Sequence, residues 1–212
     1  MTVAHEIAVA LLSARAVLFQ PDSPFTFASG IRSPIYCDNR LLIGDVAART
    51  LIGDAFAARC AGAEVVVGTA TAGIPWAAWA AERAGLPMAY VRGVSKGHGR
   101  GRQIEGASVD GRRVVLLEDT ISTGESALAA AAALRADSAE LLACFGIFGW
   151  GWGATAARFA SADLPMETLT TLDVVLDAAI AAGALAAEQR ELVESWARDP
   201  QGWSASSAGA KR

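Results

Sequence analysis

The chain has 212 residues, 53% of them hydrophobic and 19% charged, with a formal net charge of −4. Such a length suits one domain with an ample core, and the acidic balance argues against a nucleic-acid surface. Cys37, Cys60 and Cys144 are widely spaced and form no C-x-x-C pair, which argues against a disulfide framework or zinc site and for small buried side chains in a reducing cytoplasm.

Residues 3–19 read as a helix, with Ile7, Leu11, Leu12 and Leu18 near one face. His5 and Glu6 stand where a secretory leader would be basic. No apolar run approaches the roughly 20 residues a bilayer span needs, so neither a signal peptide nor a membrane partner is expected. Gln20–Pro24 is a loop by its prolines, and 25–27 and 35–37 read as short strands flanking Ser29 and Gly30. A helix is expected at about 45–60, a buried strand at 64–68, a turn at 69–73, a helix carrying Trp76 and Trp79 as far as Gly85, and a strand at 88–92. Residues 93–106 form a polar, glycine-rich loop. A strand at 113–118 and a helix at 125–135 follow, then a strand at 140–148, a turn at 149–153 into a further helix, a strand at 166–171, and helices at about 173–182 and 186–198. Residues 204–212 are small and polar and read as a disordered tail.

Strands alternating with helices predict an α/β fold: a central parallel sheet flanked by helices, one domain over residues 1–203. The segment at about 20–42 is expected to form a small N-terminal hood over the carboxyl edge of that sheet.

The chemistry concentrates at 114–126. A buried strand ends in the acid pair Glu118 and Asp119; Thr120, Ile121, Ser122, Thr123, Gly124, Glu125 and Ser126 then lead into an alanine-rich helix. Unpartnered N–H groups at a helix N-terminus, aided by the helix dipole, attract phosphate. The hydroxyls add donors, and the glycine admits close approach. Two carboxylates suit the 2- and 3-hydroxyls of a ribose and would repel a phosphate, so sugar at the acids and phosphate at the turn is the natural division. The carboxyl end of a strand is where open α/β sheets hold ligands. Neither a Walker loop nor G-x-G-x-x-G is present.

Thr69–Gly73 is a second turn of small residues between strand and helix, suited to a second anionic group such as a diphosphate. The loop after Arg92 carries Lys96, His98, Arg100 and Arg102 between glycines, the pattern of a lid drawn to polyphosphate. The aromatics of 24–40 could enclose a flat base, although by themselves they read as a structural hairpin. Trp150 and Trp152 read by default as core residues.

The 114–126 pattern resembles the ribose-phosphate signature of the type I phosphoribosyltransferases, which use 5-phosphoribosyl 1-diphosphate (PRPP). Residues 24–40 resemble the hood of the orotate phosphoribosyltransferases, F-T-x-x-S-G-x-x-S-P-x-Y-x-D, and 92–106 resemble their lid, R-x-x-x-K-x-H-G-x-G-x-x-I-E-G. The resemblance implies transfer of the phosphoribosyl group from PRPP to N1 of orotate, giving orotidine 5′-monophosphate and diphosphate in pyrimidine biosynthesis. It implies that Arg92, Lys96 and His98 bind the diphosphate, that Glu118 through Ser126 bind ribose 5-phosphate, and that Ser122 also touches orotate. Lys96 and Asp119 are the expected catalytic residues. It further implies Mg²⁺ carried mainly by the diphosphate, with no metal ligand assigned to the chain, and a cytoplasmic homodimer sharing its lids. Ala28 stands where many relatives have lysine, and Thr71 and Ala72 where many have a Tyr-Lys pair. The alternatives are a phosphoribosyltransferase for another base, a PRPP-sensing regulator, or an unrelated sugar-phosphate binder.

Overall fold

A computed structural model describes residues 1–27, 29–93 and 103–209. In chain order the elements are α1 (Val3–Ser13), β1 (Val17–Phe19), β2 (Phe25–Thr26), β3 (Arg32–Ser33), β4 (Ile35–Cys37), a 3-10 turn (Asn39–Gly44), α2 (Val46–Ala57), β5 (Val65–Thr69), α3 (Gly73–Ala84), β6 (Met88–Val91) and β7 (Ile104–Gly106). There follow β8 (Arg113–Ile121), α4 (Glu125–Ala136), β9 (Glu140–Gly149), α5 (Gly153–Ser161), β10 (Met166–Thr171), α6 (Leu172–Ala181), a second 3-10 turn (Ala187–Gln189), α7 (Arg190–Arg198) and α8 (Pro200–Gly209).

Six strands form one sheet in the order β10-β9-β8-β5-β6-β7. Every pair is parallel except β6 with β7. A parallel sheet covered on both faces needs strands that are apolar on both faces. The consecutive residues Val65, Val66 and Val67 of β5 and Val114 through Leu117 of β8 are accordingly all buried. Alternation divides them. Val66, Val115 and Leu117 pack with α1, α2, α3, α6 and α7 through Ile7, Phe56, Trp76, Val175 and Trp196. Val65, Val67, Val114 and Leu116 face α4 and α5 through Ala127, Ala130, Leu134 and Phe159. Ala127, Ala130, Ala131 and Leu134 follow the i, i+3, i+4, i+7 pattern of a buried helix face, and their small size lets α4 lie close to the sheet.

The hood consists of two antiparallel pairs, β2 with β3 and β1 with β4. Its underside is aromatic: Phe25 and Phe27 lie 5.6 and 6.2 Å from Tyr36, and Phe27 lies 6.5 Å from Trp196 of α7. The C-terminal helices fasten it. The indole N–H of Trp196 donates to the Arg32 carbonyl at 2.9 Å, and the Arg32 N–H donates to Ser204 Oγ of α8 at 2.9 Å.

Four expectations are corrected. The first helix stops at Ser13: Arg15 takes a positive φ of 56°, and Val17–Phe19 pairs with β4 instead. Strand 25–27 pairs with 32–33, a two-residue strand too short to show periodicity. The loop over 93–106 ends in β7, whose Ile104 is buried against the sheet, so one sheet edge is antiparallel. The tail expected to be disordered from 204 is helical as far as Gly209. Pro200 occupies the first helical position, the Asp199 carboxylate accepts the Gly202 N–H at 3.0 Å, and Ser204 is engaged by the hood. Among the described residues no helix is long and apolar enough to cross a membrane.

Candidate active site

Strand β8 runs past residue 118 to Ile121, so the acid pair belongs to its carboxyl end. Glu118 is only 5% exposed. One carboxylate oxygen accepts the Asp119 N–H at 3.1 Å and the other accepts the Ser126 hydroxyl at 2.9 Å. Burial is the main cause that pushes its carboxyl up to about 7. Nearby Asp119 adds to the rise, and hydrogen bonds from Thr69 and Ser126 oppose it. Asp119 itself is half-buried.

The turn after β8 is built to present N–H groups. Gly124 has a φ of 73° and directly precedes α4, whose N-terminus has no side-chain cap. A side chain at Gly124 would collide with the Phe159 ring as well as strain the backbone. Two turn carbonyls are drawn toward α5: Thr155 Oγ1 donates to the Ser122 carbonyl at 2.6 Å, and Arg158 donates to the Thr123 carbonyl at 2.9 Å. Ser122, Thr123, Glu125 and Ser126 are exposed, and Ile121 is buried as an anchor.

The second turn leaves β5, the strand hydrogen-bonded beside β8. It also opens a helix with no side-chain cap, α3. Its Ala70–Thr71 peptide is cis. A Cβ on Gly73 would lie 2.6 Å from the Leu117 carbonyl, and one on Gly68 would lie 2.7 Å from the Gly73 carbonyl, so only glycine lets this turn lie against the neighbouring strand. The two turns border a cavity of about 470 Å³ lined by Thr69, Ala70, Arg92, Ser122, Thr123 and Ser126.

Arg92 reaches that cavity from the end of β6 and pairs with Glu105 of β7 at 3.0 Å. The Tyr90 hydroxyl donates to the same carboxylate at 2.6 Å. The Tyr90 bond first, and the Arg92 bond second, hold the Glu105 carboxyl below its ordinary range. Lys96, His98, Arg100, Arg102 and Ala28 lie outside the described residues. The structure thus brings together Arg92, Glu118, Asp119 and the turn at 120–126.

One contributor escaped the sequence reading. Asn39 opens the turn after β4, is 1% exposed, and donates from Nδ2 to the Asp119 carbonyl at 2.8 Å and to Thr120 Oγ1 at 2.9 Å. Only its place beside the hood pattern could have marked it. Trp150 does pack into the core, edge-on to Phe148 and Trp196 at 5.0 and 5.1 Å. Its other neighbour is the Trp152 ring, stacked at 6.1 Å, and both indoles wall a cavity of about 920 Å³ that reaches Thr123, Ile31 of the hood, and α7 and α8.

Residues 4–148 match the phosphoribosyl transferase domain. The chain is 44% identical over 203 residues to the orotate phosphoribosyltransferase of Bacillus caldolyticus, covering 94% of this chain and 98% of that one. The crystal structure of orotate phosphoribosyltransferase from Aeropyrum pernix superposes with a TM-score of 0.72 at 32% identity, covering 81% of this chain and 96% of the other. The structure of Leishmania donovani UMP synthase gives a TM-score of 0.77 at 27% identity. The match covers 92% of this chain but only 42% of that longer one.

Proposed function

Because the chain belongs to the phosphoribosyltransferase family, we propose that it transfers the phosphoribosyl group from PRPP to N1 of orotate, giving orotidine 5′-monophosphate and diphosphate in pyrimidine biosynthesis. One observation carries this reading. Two uncapped helix N-termini open at the ends of adjacent strands, β5 and β8, with an acid pair between them. That spacing supplies two anion seats and a hydroxyl seat for one donor that has phosphate at both ends.

The 5-phosphate sits in the turn 120–126 and the diphosphate against 69–73 and Arg92, with Lys96 and His98 closing over it. Asp119 holds the ribose hydroxyls, supported by Glu118. The acceptor lies under the hood with Ser122 at the reacting side, and the cavity walled by Trp150 and Ile31 gives it room. Departure of diphosphate leaves an oxocarbenium-like ribosyl centre. Catalysis is then chiefly positioning and charge stabilisation, with Lys96 facing the leaving anion and Asp119 near the developing positive charge. Orotate N1 is acidic enough to need no dedicated protein base.

Among the described residues no group of three or more His, Cys, Asp or Glu side chains could hold a metal ion. The reading places Mg²⁺ mainly on the donor's phosphate oxygens and water, with no metal ligand assigned to the chain. When bound, the ion neutralises charge on the diphosphate. The protein works as a homodimer with lids shared between subunits, in the cytoplasm, where its three free thiols stay reduced.

The direct test is loss of orotate absorbance when PRPP and Mg²⁺ are added, run beside a panel of purine and pyrimidine bases. Turnover of orotate alone is the expected result; turnover of another base without orotate overturns the reading.

A further inference from the structure

The hood holds a buried amide that grips the donor site from above. Asn39 is 80 residues from Asp119 in sequence, yet its Nδ2 donates to the Asp119 carbonyl at 2.8 Å. The N–H of the same residue, Asp119, donates to Glu118 Oε1 at 3.1 Å. The backbone of Asp119 is therefore held on both sides, and only its side chain keeps freedom to meet a sugar. The second Asn39 proton goes to Thr120 Oγ1 at 2.9 Å. With that oxygen already accepting, the Thr120 hydroxyl proton points away from Asn39 and is available to a ligand oxygen. The amide is itself oriented: Cys37 Sγ donates to Asn39 Oδ1 at 3.4 Å, and burial pushes the Cys37 thiol up to about 12, so it keeps its proton. Both faces of the Asn39 amide are thereby assigned. A flipped amide would set its oxygen against the Asp119 carbonyl.

We infer that Asn39 is a positioning residue, which sets the peptide of Asp119 and the hydroxyl of Thr120 and so couples the hood to the ribose end of the donor. The coupling rests on the proposed reaction. It adds that the acceptor-covering segment, through the turn that follows β4, controls the geometry of the donor acid. Asp119 and Thr120 both lie in the proposed donor seat, so donor affinity is expected to fall together with turnover.

The test compares Asn39→Ala with Asn39→Asp, which keeps the shape but loses the amide protons. Both are expected to lower kcat about tenfold or more and to raise the KM for PRPP more than that for orotate, and Asn39→Asp, which sets a carboxylate oxygen against the Asp119 carbonyl, is expected to lower the thermal midpoint. Thr120→Val combined with either should cost less than the product of the separate losses, because one removes what the other positions. Wild-type kcat in Asn39→Asp, or fully multiplicative losses with Thr120→Val, overturns the inference. If Asn39→Ala fails to fold, Asn39→Asp carries the test. Inactivity of the unsubstituted chain toward orotate would instead strike the proposed reaction.

Discussion

Glu118 has a carboxyl that ionises at about 7, where an ordinary glutamate ionises at 4.5. Below pH 4.5 the folded and unfolded chains both hold this proton, and the folded state carries no penalty from it. From 4.5 to 7 the unfolded chain has lost the proton while the folded one keeps it, so stability falls as pH rises; above 7 the loss is complete. Thermal midpoints of the ligand-free protein should therefore decline across that window relative to Glu118→Gln, which cannot titrate. Parallel curves for the two proteins would contradict the assignment. Lys96 is tested in turnover rather than stability: on the proposed role, Lys96→Ala removes one contact to the leaving diphosphate and should cost kcat about 10² or more. Near-normal turnover would remove Lys96 from the site.

Among the elements, the sheet strands were readable because both faces are covered, and unbroken apolar runs such as Val65–Val67 and Val114–Leu117 mark that condition. Of the hood strands, those at 25–27 and 35–37 were expected, whereas β1, β3 and β7 were not, because two or three residues cannot display a period. Of the C-terminal helices that fasten the hood, α7 was expected as an element but not in its task, and α8 was not expected. Trp196 is a core residue, yet its N–H is spent on the Arg32 carbonyl. Trp196→Phe keeps the ring and deletes that bond. A loss of about 1 kcal/mol in denaturant unfolding is expected, with a raised KM for orotate and little change for PRPP. An unaltered orotate KM would separate the clamp from acceptor binding.

For the whole molecule, the site was legible where one continuous segment supplies it, as 118–126 does, and illegible where the chain folds back on itself. Asn39 meets Asp119 only through tertiary structure, and no spacing along the sequence announces such a contact. The proposed shared lid would be a property of two chains and is tested on two. Mixing and refolding Lys96→Ala with Asp119→Asn, each inactive alone, should restore about a quarter of wild-type activity, because half of the resulting dimers contain one intact site. No recovery would mean that each subunit closes its own site.

The fastening of Arg32 by Trp196 and Ser204 also bears on how the protein is born. Synthesis proceeds from the N-terminus, and an early segment can settle before later ones exist. Both turns proposed to hold phosphate have been translated by Ser126, whereas the residues that pin the hood come some seventy positions later. A nascent chain thus passes through a stage with the proposed sugar-phosphate seats encoded and the hood untethered, and α8 is the later helix that helps to pin it.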